Sequence, residues 1–238
     1  MDLYAPIFTR ASTRKFDTTP VPAKTLEQLE SYLATVEPLL PDVKLTHRIV
    51  GAKDVKGMAL PNAPHYLLIY GKKAPLRDTC AGFFYQHAEL YLYSLGLATR
   101  WLNSVKGKQA DPDFIIGIAF GKPAAPAVRK QSEFDRKPLG EIAKGTDPRL
   151  EAVRLAPSGM NGQPWYFIVD GERIHAYYKP SLGGVMGALY HHTDLDLGIA
   201  LCHLQVASEH EGRPFQFTVA AKDAPPPPQN FVYAGTVK

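Results

Sequence analysis

The chain has 238 residues, of which 45% are hydrophobic and 21% charged, a composition typical of a soluble globular protein with a substantial core. Its formal net charge of +4 is too small to indicate nucleic-acid binding, although it would suit an anionic ligand. Cys80 and Cys202 belong to no Cys-x-x-Cys motif or zinc-spaced cluster, so we expect buried reduced thiols and no metal. There is no signal-peptide pattern, and the apolar run 114–120 is too short to cross a membrane. We therefore expect a cytoplasmic protein.

The first half of the chain predicts two helices and three strands. The first helix begins at Thr25, where Thr25 and Gln28 match a capping box, and it ends before Pro38. The second helix is long and ends where Gly96 can adopt a left-handed conformation. In chain order, these elements are a helix over 25–36, strands over 44–50 and 65–70, a helix over 78–95, a strand over 114–120 and an extended surface arm over 121–138.

The second half predicts similar elements in a similar order. Asp147-Pro148 is typical of a helix N-cap followed by proline, and Asp170-Gly171 predicts a hairpin. The prolines at 225–228 exclude a central strand at that point. In chain order, these elements are a short helix after Pro148, strands over 165–169 and 173–178, a helix over 194–210 followed by Gly212, and a final strand over 215–221.

The two halves therefore share one order: helix, strand, strand, long helix ending at a glycine, strand. The long helices and closing strands lie about a hundred residues apart, although few residues are identical. Two copies are too few for a solenoid and suit a pseudo-dimer made by one chain. We expect two halves, residues 1–143 and 144–238, that form one globular unit.

The first candidate site is the segment Arg10-Ala11-Ser12-Thr13-Arg14. In an extended segment, Arg10, Ser12 and Arg14 point to the same side. Two guanidinium groups on either side of a hydroxyl would bind a phosphate well, since each can donate two parallel hydrogen bonds. The alternative is a solvated basic segment.

The second candidate is the loop that joins the short helix to the next strand. Pro157, Ser158, Gly159 and Asn161 provide small and polar groups that allow the backbone to approach a ligand closely. Pro164-Trp165 then fixes the chain in the strand. The alternative is a rigid connection with Trp165 in the core.

The third candidate follows the first long helix, where we expect Trp101-Leu102-Asn103 to be irregular. Such a segment could present an apolar surface and a backbone N–H group to a flat ring. A helix end with a core tryptophan is the alternative.

The fourth candidate is Arg136-Lys137 in the basic arm, which could close over the same phosphate. An ordinary surface arm is the alternative. The sequence contains no Gly-x-Gly-x-x-Gly after a strand, no Walker A loop and no Gly-x-Ser-x-Gly elbow, so no dinucleotide-binding, P-loop or α/β-hydrolase site is indicated.

Together, the four segments resemble the flavin-dependent nitroreductase family over most of the chain. Arg10, Ser12 and Arg14 are similar to its Arg-x-Ser-x-Arg/Lys segment, and residues 156–165 match its Ala-Pro-Ser-x-x-Asn-x-Gln-Pro-Trp loop at every named position. Residues 95–103 are similar to the helix end whose following loop packs on the flavin ring, and Gly121-Lys122-Pro123 with the basic arm is similar to its Gly-x-Pro segment. The resemblance implies an α+β, nitroreductase-like fold with mixed or antiparallel sheets flanked by helices.

The order of these motifs departs from the ordinary family pattern. In ordinary members the Pro-Ser-x-x-Asn loop follows the first helix, whereas here residues 37–45 contain no such loop and it appears in the second half. Ordinary members are interwoven homodimers, and each FMN site takes the phosphate-binding segment from one subunit and the loop from the other. The resemblance therefore implies the fused, internally duplicated branch, with one FMN site per chain formed between the halves, and a chain that acts as a monomer.

The resemblance also implies the role of each segment. FMN carries the redox chemistry; the arginines, Ser12 and Arg136 or Lys137 bind its phosphate, and the loop and residues 101–103 pack on its ring. The backbone near Asn103 and Ser104 lies by flavin N5, and no protein group acts as nucleophile or base. NAD(P)H reduces the flavin, which then reduces small electron-poor molecules such as nitroaromatics or quinones. A flavin-storage or sensing protein, and another flavin reaction such as dehalogenation, remain alternatives.

Overall fold

The computed structural model describes residues 2–181, 192–220 and 223–238. It divides into two compact units, the first with Met1–Glu37, Pro41–Arg77 and His87–Gln131, and the second with Pro38–Leu40, Asp78–Gln86 and Ser132–Lys238. The helices are α1 (Tyr4–Ile7), α2 (Ala23–Leu33), α3 (Arg77–Ser94), α4 (Leu139–Ile142), α5 (Leu150–Arg154) and α6 (Thr193–His210). The strands are β1 (Leu45–Gly51), β2 (Val55–Gly57), β3 (His65–Gly71), β4 (Ala98–Leu102), β5 (Val105–Gly107), β6 (Phe114–Gly121), β7 (Ala143–Lys144), β8 (Trp165–Asp170), β9 (Arg173–Tyr178), β10 (Phe217–Thr218) and β11 (Val232–Val237).

The first unit is built on an antiparallel sheet with the order β1-β3-β6-β4. Its central strands, β3 and β6, are the two segments that the sequence predicts to be buried on both faces, and nearly all their residues are buried. A separate two-stranded ribbon pairs β2 with β5. Val55 and Val105 anchor this ribbon in the core, while their neighbours Lys56 and Lys106 are exposed.

The second unit is built on a sheet with the order β10-β11-β9-β8-β7, in which only the β7–β8 pair is parallel. The predicted hairpin is confirmed, since Asp170 pairs with Arg173 across a turn at Gly171, whose φ is +60°. The prediction that 215–221 is the final strand is wrong. Only Phe217–Thr218 is a strand there, residue 221 lies outside the described residues, and β11 follows the prolines and occupies a central position.

Three further local predictions need correction. Helix α2 begins at Ala23, and neither Thr25 nor another side chain caps it. Its N-cap residue is Pro22, which has no side-chain acceptor and whose carbonyl accepts the Thr25 and Leu26 amide hydrogens. Helix α5 begins at Leu150, although Asp147 does accept the Arg149 amide hydrogen at 3.0 Å. Residues 101 and 102 belong to β4 instead of an irregular segment, because the antiparallel ladder with β6 extends to them.

The two sheets repeat one arrangement. If β8, β9, β11 and β10 are matched with β1, β3, β6 and β4, both sheets have the same strand order and the same antiparallel pairing. Helices α3 and α6 have 18 residues each and are followed at the same distance by left-handed glycines, Gly96 with φ +77° and Gly212 with φ +65°. The two halves of the chain thus share their strand order, strand pairing and helix length, although few residues are identical between them.

The first part of α3 and the helix α6 also cross reciprocally within the second unit. A Cβ atom on Gly82 would lie 2.0 Å from the Leu195 carbonyl oxygen, and one on Gly198 would lie 1.9 Å from the Thr79 carbonyl oxygen. Gly82 lies three residues after Thr79 in α3, and Gly198 lies three residues after Leu195 in α6, so the two contacts are equivalent. Only glycine allows two helix backbones to approach this closely.

Both cysteines are free and buried, as predicted. Burial raises the pKa of the Cys80 thiol to about 12. Within the described ranges, no helix has the length and apolar character needed to cross a membrane.

Candidate functional site

The predicted phosphate-binding segment, residues 10–14, runs along the outer edge of β4. Ser12 forms a parallel bridge with Thr99, and the Thr13 amide donates to the Thr99 carbonyl at 3.2 Å. The segment therefore extends the sheet of the first unit. This extended backbone directs Arg10 and Ser12 to the same side, where the Arg10 Nη2 donates to Ser12 Oγ at 3.0 Å.

Arg10 also forms a buried ion pair with Glu89 of α3. The two side chains are 2% and 1% exposed, and the Arg10 Nε lies 3.2 Å from Glu89 Oε1. The Thr99 hydroxyl donates to the same carboxylate oxygen at 2.8 Å. Removing one partner of such a pair leaves an uncompensated buried charge and typically costs about 3–5 kcal/mol.

Two buried atoms of this pair have no hydrogen-bond partner among the described residues. They are the donor Arg10 Nη1 and the acceptor Glu89 Oε2. Buried polar groups are nearly always paired, so each unpaired one calls for an explanation. A bound anion that also carries hydroxyl groups could pair with both atoms.

Further positive charge lies in the same part of the first unit. Arg14 is exposed, and Arg100, which follows Thr99, is half-buried. Burial, and after it the positive charge of Arg14, lowers the pKa of the Arg100 guanidinium. An anion between such groups would offset their repulsion and accept strong, charge-assisted hydrogen bonds.

The predicted ring-packing residues lie where β4 ends. Leu102 is buried in the core of the first unit, so only its backbone is available to a ligand. Trp101 and Asn103 are half-buried, and Ser104 is exposed. Asn103 and Ser104 form the turn into β5. Neither residue belongs to the ladder between β4 and β6, which ends at Leu102.

The loop 156–165 of the second unit has an unusual backbone. Met160, Asn161 and Gln163 all have positive φ, at 50°, 56° and 46°. Non-glycine residues seldom adopt this conformation, and such strain is concentrated at functional sites. Met160 is 71% exposed, whereas most exposed positions in the chain are polar.

The polar side chains of this loop mainly fix its own shape. Ser158 Oγ accepts the Gln163 amide hydrogen at 2.9 Å, and the Gln163 side chain donates to the Asn161 carbonyl at 3.1 Å. The Asn161 side chain in turn donates to the Asp135 carbonyl at 2.8 Å. A ligand would therefore meet chiefly the backbone and the apolar side chains of the loop, since the polar side chains are already engaged.

Arg136 and Lys137 bind the loop as well. The Arg136 guanidinium donates to Asn161 Oδ1 at 2.6 Å and to the Ala156 carbonyl at 3.1 Å. The Lys137 ammonium donates to the Gly162 carbonyl at 2.7 Å. The structure thus brings the predicted basic pair together with the predicted loop, through contacts that hold the loop in place.

A buried carboxylate of α6 anchors the other side of the loop. Asp196 is 1% exposed and accepts the Gly159 amide hydrogen at 3.1 Å. Sequence reasoning missed Asp196, Glu89 and Arg100. Two of these could have been found, because Asp196 and Glu89 are carboxylates at positions of long helices where the pattern calls for apolar residues.

The position of α6 that matches Glu89 carries Gln205, since each residue lies twelve positions after the start of its helix. Gln205 donates to Glu209 at 3.0 Å, and its Oε1 has no partner among the described residues. The second half also lacks an Arg-x-Ser-x-Arg segment. The carboxylate and the arginine that it would neutralise are therefore missing together from this half.

Comparison with known proteins agrees with this fold. The family model described as Putative TM nitroreductase matches residues 2–208. The chain belongs to this nitroreductase family. No curated protein matches the chain.

Solved structures of nitroreductases are similar in fold. A putative nitroreductase from Thermotoga maritima is 20% identical, with a TM-score of 0.71, over 100% of this chain and 93% of its own. A nitroreductase family protein from Clostridium difficile 630 is 17% identical, with a TM-score of 0.47, over 59% of this chain and 95% of its own. An FMN-dependent nitroreductase from Clostridium difficile R20291 is 16% identical, with a TM-score of 0.42, over 55% and 93%. The predicted α+β, nitroreductase-like fold is confirmed, and family and fold together make the protein an oxidoreductase.

Proposed function

We propose that this protein is an FMN-dependent oxidoreductase that uses NAD(P)H to reduce small electron-poor molecules. The observation that carries the proposal is the Arg10 guanidinium, which is buried against Glu89 and whose Nη1 has no acceptor among the described residues. A phosphate oxygen is a strong acceptor for such a donor. The nitroreductase family model, together with the resemblance of residues 10–14 and 156–165 to the flavin-dependent family, supports the choice of flavin.

The residues present suit FMN better than a bare phosphate. Arg10, Arg14 and Arg100 provide the positive charge, and Ser12 provides a hydroxyl that is already oriented by Arg10. The unpaired Glu89 Oε2 would accept a hydrogen bond from a ribityl hydroxyl. The binding site would thus use both orphaned atoms of the buried pair.

The remaining candidates would orient the ring. The backbone N–H groups of Asn103 and Ser104 would donate near flavin N5, and the loop around Pro157 and Gly159 would pack on the ring plane. When bound, FMN would supply the two-electron redox chemistry that links the nicotinamide to the acceptor. The protein would bind, orient and exclude water, and no side chain would act as a nucleophile or general base.

The proposal includes one FMN per chain, in a chain that works as a monomer of two duplicated halves. The matching sheet orders and the reciprocal Gly82 and Gly198 contacts support the duplication. Gln205, in place of the carboxylate at Glu89, supports the loss of a second phosphate site.

Flavin stoichiometry on protein of known solution mass tests the site count. We expect one FMN per chain. Two equivalents would overturn the single-site proposal, and failure to bind added FMN would overturn the function itself. Oxidation of NAD(P)H by the flavin-loaded protein with a quinone or nitroaromatic acceptor then separates an enzyme from a storage protein, which would turn over very little.

The phosphate assignment has its own test. Arg14→Gln and Arg100→Gln should each raise the FMN dissociation constant by about 10- to 100-fold, because a hydrogen bond to a charged group is worth about 1.5–3 kcal/mol. Binding of riboflavin, which has no phosphate, should change little. Arg48→Gln, on β1 at the opposite edge of the same sheet, is the control. Equal losses for FMN and riboflavin would contradict the assignment.

A further inference from the structure

The ribbon of β2 and β5 carries a group of exposed lysines. Val-Lys-Gly occurs in both strands, and the antiparallel register sets Lys56 directly opposite Lys106. Lys53 and Lys108 flank this pair, and all four side chains belong to exposed residues. We call these four residues the lysine ribbon.

The lysine ribbon has little negative charge to balance it. Asp54 is the only acidic residue in segments 51–58 and 103–110. Within the described part of the chain, none of the four lysines forms an ion pair, and the Lys56 ammonium reaches only the Lys108 carbonyl, at 3.4 Å. Like charges directly opposite each other destabilise a pair of strands, so this arrangement is one that an anion would stabilise.

The ribbon is also a rigid continuation of the candidate ring-binding turn. Val55 and Val105 are buried in the core, which holds both strands in place. A Cβ atom on Gly57 would lie 2.1 Å from the Ser104 carbonyl oxygen, so β2 packs tightly against that turn. Lys106 and Lys108 follow Ser104 by about 7 and 13 Å of extended chain.

We infer that the lysine ribbon binds the phosphate-bearing end of the reductant and makes the protein prefer NADPH to NADH. This inference rests on the proposed function, because the nicotinamide must reach a flavin beside Asn103 and Ser104. The rest of the dinucleotide then extends away from the ring, and the ribbon leads away from the same turn. The additional 2′-phosphate of NADPH supplies the anion that the unpaired lysines lack, whereas NADH has an uncharged hydroxyl at that position.

A direct binding experiment tests the ribbon without turnover. We expect the FMN-loaded protein to bind adenosine 2′,5′-bisphosphate at least about tenfold more tightly than 5′-AMP by titration calorimetry. The double variant Lys56→Gln/Lys106→Gln should lose this difference. The control Lys24→Gln/Lys73→Gln removes the same charge from exposed positions outside the ribbon and should retain the difference. Equal binding of the two nucleotides by the unaltered protein would overturn the inference.

Kinetics provide the second readout. The ribbon variant should lower kcat/KM for NADPH at least about tenfold through KM and leave kcat/KM for NADH and the FMN content unchanged. Equal losses with both nucleotides, or a change only in the acceptor KM, would overturn the inference. If the flavin-loaded protein oxidises neither nucleotide, the proposed function fails, and the calorimetric comparison still decides whether the ribbon recognises the phosphate.

Discussion

Gly198 provides a sharp test of the packing between α3 and α6. In Gly198→Ala the new Cβ would lie 1.9 Å from the Thr79 carbonyl oxygen and 2.7 Å from the Phe83 amide nitrogen. Both atoms are backbone, so no side-chain rotation can relieve the contact and one helix must move. Overpacking of this kind typically costs about 1–3 kcal/mol and sometimes more, against a gain of about 1 kcal/mol from the higher helix propensity of alanine.

Because both contacts are with backbone atoms and one is only 1.9 Å, the cost should lie at the upper end of this range. We therefore expect a net loss of about 2 kcal/mol in the free energy of unfolding, measured by urea denaturation. For a chain of this size, the melting temperature should fall by roughly 4–8 °C. Gly140→Ala is the matched control, because a Cβ atom there would meet nothing within 4 Å. Equal stability of the two variants would refute the close crossing. Gly82→Ala should repeat the loss, and the double variant should lose less than the sum, since both Cβ atoms separate the same two helices.

Other predictions follow from single residues. Burial, reinforced by the Asp78 charge, raises the pKa of Asp194 above 3.8, so its stabilising contribution is present at low pH and is lost as the pH rises through the raised pKa. Asp194→Asn should accordingly increase the melting temperature at pH 7 and flatten its dependence on acidic pH; unchanged profiles would contradict this. Asp196→Ala removes the acceptor of the Gly159 amide hydrogen and should cost about 1–3 kcal/mol and speed proteolysis in the loop, which limited digestion measures. Native protein should react with Ellman's reagent at neither cysteine until it is unfolded, because both are buried; rapid labelling before unfolding would show otherwise.

Local sequence patterns were sufficient for much of the secondary structure. The long helices and the strands β1, β3, β6, β8 and β9 follow hydrophobic periodicity and turn residues, and their predicted bounds lie within one or two residues of the observed ones. The patterns failed where long-range pairing decides the outcome. The ladder with β6 makes Trp101 and Leu102 part of a strand, and pairing with β9 and β10 makes 232–237 a central strand.

The sequence alone was enough to propose which segments form the flavin site, because Arg-x-Ser-x-Arg and the Pro-Ser-x-x-Asn loop are contiguous motifs with fixed residue types. Only the tertiary structure decided how each residue is used. It buries Arg10 against Glu89, 79 residues further along the chain, and it directs Ser158, Asn161, Arg136 and Lys137 to the loop itself. It also opposes Lys56 to Lys106 across a ribbon. Hydrogen bonds and charges act through space, so partners this far apart in sequence leave no local pattern from which to infer them.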